Sequence, residues 1–136
     1  MLTDRQGVSL AILLSGASMH DSVPLAVLLD SVQLVLSGRP GRPRQRPRKF
    51  HADKAYDYRR CRRSCRACGI QLRIARRSVE DSQRLGRHRW VVERTFAWLL
   101  RMRRLTTRYE QRVDIHYAFT LLGCFLICLN KLQDRF

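Results

Sequence analysis

The sequence predicts a mixed α/β domain. Three observations carry this. Short apolar runs bounded by turn residues, VSLAILL at 8–14 and QLRIA at 71–75, read as strands. Longer stretches at 21–35, 57–68, 88–107 and 114–132 carry helical apolar spacing. The order strand, strand, helix, strand, helix, strand, helix, helix interleaves the two types. At 136 residues the chain is long enough for one domain with a core, and residues 1–136 are read as a single domain.

The elements follow in order. Gly7 and Ser15-Gly16 bracket the 8–14 strand, and the turn Arg5-Gln6-Gly7 implies a hairpin whose first strand starts at Met1. In 21–35, Asp21 or Ser22 is the expected N-cap, with Pro24 in the first turn and Leu25, Leu28, Leu29 and Val32 as the apolar stripe. SGRPGRPRQRPRK, 37–49, excludes helix and central strand through its prolines and glycines and reads as a flexible basic loop, either a solvated connector or, as the overall charge favours, a phosphate-contacting arm. Phe50-His51-Ala52 ends a short strand at Asp53, and Asp57 is the expected N-cap of the 57–68 helix. YAFTLLGCFLICL, 117–129, falls short of the roughly 20 residues of a membrane span and is expected to be a buried core helix. Asp114 and Lys131 suit the dipole of that last helix. Met1 followed by LTDRQG does not read as a signal peptide, which points to a cytoplasmic protein with reduced cysteines and no membrane partner.

The charge narrows the partner. Net charge is +16, and residues 1–38 carry one base against three acids, so the excess lies downstream. Nearly all the bases are arginine, with Lys49, Lys54 and Lys131 the three lysines. Such a surface favours nucleic acid, where neutralised phosphates release counterions. CRRSCRAC puts Cys65 and Cys68 at zinc-ligand spacing, which His51 or His88 could complete, while Cys124-x3-Cys128 in the apolar last helix reads as core; the commoner reading of such a pair is reduced helix cysteines.

One carboxylate stands out. In RHRWVVERTFAWLLRMRRL, 87–105, Glu93 lies among arginines. Val91, Thr95, Trp98, Met102 and Leu105, widened by Val92, Phe96 and Leu99, form the expected core stripe. A second face holds Arg89, Glu93, Ala97, Arg101, Arg104 and Arg108. Spacing allows two readings of Glu93. It pairs with Arg89 one turn away, or it ligates a hard divalent ion whose shell a substrate phosphate completes. Asp53, at a strand's C-terminal end, is the natural second ligand.

HADKAYD, followed by RHRWVVERTFAWL and RRLTTRYE, resembles the C-terminal catalytic part of DDE transposases of bacterial insertion sequences, in the branch around the insertion-sequence-five group. SGASMHDSVPLAVLLD extends the resemblance over most of the chain. It implies a ribonuclease H-like mixed sheet flanked by helices, and an Asp, Asp, Glu triad holding two Mg²⁺ (or Mn²⁺) ions. It implies cleavage at the element's ends and joining of the freed 3′-OH to target DNA. Asp53 matches the second Asp and Glu93 the Glu. Arg89 matches the Arg of the Tyr-x-x-Arg-x-x-x-Glu-x6-Lys signature, whereas Gly86 and Leu100 replace its Tyr and Lys. No acid matches the first Asp, so the chain is expected to lack the first strand and to be inactive alone. It is then either the downstream half of a frameshifted transposase or a decayed fragment, and its expected partners are DNA ends and target, the upstream half in the first case, and a second copy. The expected location is the bacterial cytoplasm, at the nucleoid. Arg42, Arg44 and Arg46 of the loop, with Arg89, Arg94, Arg101 and Arg104, are the expected DNA contacts. The competing readings are a non-catalytic DNA-binding module and a small structural or ribosome-associated nucleic-acid binder.

Overall fold

Asp4 organises the first turn. Its carboxylate accepts the backbone N–H groups of Gln6 and Val8 at 2.8 and 2.9 Å, and Gly7 takes φ +85°, a conformation glycine adopts without steric cost. The computed structural model describes residues 1–32, 46–74 and 86–133, with side chains from Trp90 onward in the last stretch. In it β1 (Leu2–Thr3) pairs antiparallel with β2 (Ser9–Ala11), the hairpin expected from Gly7. The chain divides into two compact units, residues 1–14 with 90–136, and residues 15–89.

In the first unit, α3 (Gly86–Leu99) docks on the hairpin turn. The Thr95 hydroxyl donates to the Gly7 carbonyl at 2.9 Å, and an Arg94 N–H donates to the Gln6 carbonyl at 2.8 Å. The 88–107 helix expected from sequence is two helices. α3 stops at Leu99, Met102 is extended at φ −83° and ψ 116°, and α4 (Arg103–Thr106) follows. The break has a packing cause. On a continuous helix Leu105 would sit about 120° around the axis from Leu99. The corner lets Leu99, Met102 and Leu105 all close on Gly123 of α5 (Val113–Gln133), where a Cβ would lie 2.9–3.0 Å from each. The hydroxyl of Thr106 caps the Leu100 carbonyl that the break leaves open.

The core of this unit is Ile12, Leu99, Cys124 and Ile127, with Met1, Trp98, Met102, Leu105 and Tyr117 against it. The expectation of a buried last helix is corrected here. Only Thr120, Gly123, Cys124 and Ile127 of α5 are buried, whereas Leu121, Leu122, Phe125, Leu126, Leu129 and Leu132 are exposed. At 21 residues α5 is also long and apolar enough, by those two measures, to cross a membrane. Its buried stripe ties it to the α3–α4 corner. Phe96, placed on the core stripe by its spacing, is 44% exposed.

The second unit is a β-α-β arrangement preceded by a short helix. α1 (Leu25–Asp30) buries Leu25, Leu28 and Leu29, and Val32 beyond it is buried as well, as the stripe predicted. Its N-cap is Pro24 rather than Asp21 or Ser22. Ser22 instead faces inward, with its hydroxyl 2.8 Å from His20 Nδ1 and accepting from Arg60 at 2.6 Å. β3 (Lys49–Ala52) and β4 (Gln71–Ile74) run parallel in the register Lys49↔Gln71 to Ala52↔Ile74. Between them lie a 3₁₀ turn (Lys54–Tyr56) and α2 (Arg59–Ala67). Tyr58 stands at the N-cap of α2, not Asp57, which pairs with Arg62 at 2.6 Å one turn inside. α2 ends in a Schellman motif: Gly69, φ +67°, donates to the Arg66 carbonyl and Ile70 to the Cys65 carbonyl, both at 2.9 Å. That reversal returns the chain parallel to β3.

Candidate functional site

Asp53 directly follows the last residue of β3, at the carboxyl end of the parallel pair, where open α/β folds place their ligands. It is half-buried, and its side chain accepts the Lys54 N–H at 2.6 Å, capping the 3₁₀ turn. Tyr56 ends that turn. Burial, then the charges of Asp21, Cys61 and Asp53, push its phenol above the usual tyrosine value. Asp21, expected from sequence at a helix start, is therefore close enough for its charge to act on Tyr56 along with that of Asp53. No sequence signal linked these three, because the turn before α1 and the strand end meet only in three dimensions.

Glu93 is exposed on α3, clear of the buried Thr95 and Leu99. The next two residues, Arg94 and Thr95, are those that grip the hairpin turn. The continuous cationic face expected around Glu93 is interrupted. Arg101, Arg104 and Arg108 lie beyond the end of α3, so they do not extend its face.

The expected DNA-contacting arginines sit in different settings. Arg94 is half-buried, with its guanidinium 4.3 Å from the Trp90 ring and 4.7 Å from the Trp98 ring, stacked by cation–π attraction. The spacing Trp90, Arg94, Trp98 at four-residue intervals was the legible sign of this stack. Arg104 pairs with Glu110 at 2.9 Å. Burial works to raise the Glu110 carboxyl, but backbone hydrogen bonds and Arg104 outweigh it and hold it below its ordinary value. Arg46 pairs with Asp30 at 2.9 Å and also contacts Cys68 Sγ. Arg101 is exposed. Arg42 and Arg44, and the side chain of Arg89, lie outside the described residues.

Cys61 and Cys65 are buried one turn apart on α2. Burial, then the neighbouring Cys68 and Cys61, raise the Cys65 thiol from about 9 to about 11. A thiol raised by folding holds its proton more tightly in the native state. Its contribution to stability is full below pH 9 and lost as pH climbs through about 11. Denaturant unfolding at stepped alkaline pH should show this decline, and Cys65→Ala should flatten it. Among the described residues no group of three His, Cys, Asp or Glu side chains converges as a metal site.

Asp53 thus stands at the end of a parallel strand in one unit, Glu93 is exposed on a helix in the other, and both units carry arginines. Comparison with known proteins makes the class specific. Residues 1–130 match the family model described as the transposase DDE domain. The chain belongs to that family. It is 48% identical over 133 residues to a Burkholderia cepacia protein assigned as a transposase for insertion sequence element IS402. That match takes in 98% of this chain but 63% of the relative, so the chain spans less than two thirds of that protein's length. No solved structure matches.

Proposed function

We propose that this chain is part of the catalytic core of an insertion-sequence transposase, with a ribonuclease H-like plan, and that Asp53 and Glu93 are two of its three metal-binding acids. The observation that carries this is the placement of Asp53 at the carboxyl end of β3, within a sequence matching the transposase DDE domain. The donor chemistry fits the metal. Each acid offers hard oxygen ligands, and Mg²⁺ takes one or two carboxylates with the rest of its shell from water and phosphate. When bound, such ions activate the attacking oxygen and stabilise the leaving one. The chain's own carboxylates supply the anchoring charge, and its arginines hold the DNA backbone.

No acid here matches the first Asp of the triad. Asp4, the earliest in the chain, is committed to the hairpin turn. The 136-residue chain alone should therefore leave DNA uncut. The test joins it to the remaining residues of the Burkholderia relative and supplies labelled duplex carrying insertion-sequence ends with Mg²⁺ or Mn²⁺. Metal-dependent nicking is expected from the fusion, falling at least ~10²-fold in Asp53→Asn or Glu93→Gln. Nicking indifferent to both substitutions would refute the assignment and leave a non-catalytic DNA-binding module. On either reading the protein acts on DNA, so its proposed location is the nucleoid in the bacterial cytoplasm, with α5 a packing helix rather than a membrane one.

A further inference from the structure

Strand alternation gives the β3–β4 pair two different faces. Phe50 and Ile74 are buried on one side. α2 packs against β4, and Arg62 donates to the Ile74 carbonyl, so this helix covers the buried side. The other side carries Lys49, His51, Gln71 and Arg73, all four exposed. The register places Lys49 beside Gln71 and His51 beside Arg73. The face thus holds two permanent cations, an imidazole and an amide, with no acid among the four.

We propose that this sheet face is a binding surface for the phosphate backbone of duplex DNA, running up to Asp53. Three arguments converge. Residues two apart on a strand are about 6.6 Å apart, a spacing that lets one row of side chains meet successive phosphates. Lys49, His51 and Asp53 share parity on one extended stretch, and Asp53 itself has extended backbone, φ −70° and ψ 164°. A backbone lying along the row therefore arrives at the carboxylate proposed to anchor the metal. Finally, a solvent-facing sheet face carrying Lys and Arg and no acid of its own is complementary to a polyanion and not to an apolar partner.

The inference rests on the reading of Asp53 as a site residue, but its test does not need metal or turnover. Anisotropy of a short fluorescein-labelled duplex is measured in EDTA over a salt series. K49Q/R73Q should weaken binding about tenfold at physiological salt and reduce the slope of log K against log salt by about 2, one for each phosphate no longer neutralised. R59Q/R63Q, which removes two exposed charges from α2 on the other side of the sheet, should weaken binding by less and leave the slope nearer that of the parent. K49R/R73K, which keeps both charges, should bind as the parent does. Unchanged affinity in K49Q/R73Q, an equal loss in R59Q/R63Q, or a loss in K49R/R73K as large as in the neutral pair would each overturn the proposal. Asp53→Asn in the same assay should not weaken binding. If it leaves DNA binding intact yet also leaves cleavage by the fusion intact, the metal assignment fails while the sheet face stands.

Discussion

Gly7→Ala should lower the stability of the hairpin–helix unit by about 2–4 kcal/mol, among the largest effects of a single methyl group in this protein. Two costs combine. At φ +85° an L side chain is strained, at a cost of about 1–2 kcal/mol. The added Cβ would also lie 2.8 Å from the Thr95 hydroxyl and 3.3 Å from Arg94 and Trp98. Thr95 cannot move aside readily. It is fully buried and β-branched, and its hydroxyl already bonds the Gly7 carbonyl at 2.9 Å and lies 3.0 Å from the Val91 carbonyl. Displacing it leaves a buried carbonyl unsatisfied. Denaturant unfolding followed by the fluorescence of Trp90 and Trp98 reads the change. A loss below about 0.5 kcal/mol would mean the turn does not hold α3 as described.

The contrast between this turn and the α3–α4 corner shows what sequence could reveal. Gly7 is legible because a glycine between a short polar turn and an apolar strand has a local cause. The same holds for Gly69, and for the alternation that places Phe50 and Ile74 inward. Local chemistry also marked Asp53 at a strand end and Glu93 off the core stripe. The corner had no such signal: LLRMR contains neither glycine nor proline and favours helix by propensity. Its cause lies about twenty residues on, at Gly123, whose bare Cα lets three side chains close on α5. Burial of α5 failed for a related reason. Composition says how much apolar surface exists, and only the partner elements decide which stripe is covered. The expected cationic face around Glu93 went with the corner. The sheet face of Lys49, His51 and Arg73 was hidden differently, because its members come from segments about twenty residues apart that only parallel pairing unites.

Glu93→Gln and Asp53→Asn should each reduce Mn²⁺ affinity by at least about tenfold, while neither lowers stability by more than about 1 kcal/mol. The asymmetry follows from where the two acids sit. A hard divalent ion held by few protein oxygens loses a full ligand charge when a carboxylate becomes an amide. The fold loses little. Glu93 is exposed, and an amide oxygen at position 53 can still accept the Lys54 N–H. Paramagnetic relaxation by Mn²⁺ in the absence of DNA separates this from substrate effects, and thermal melting supplies the stability axis. Loss of stability with intact Mn²⁺ binding would make both acids structural, Glu93 as a helix-surface ion pair and Asp53 as a turn cap. Loss of Mn²⁺ binding at constant stability would show that the turn cap at Asp53 does not account for these carboxylates, and coordination would be the role they share.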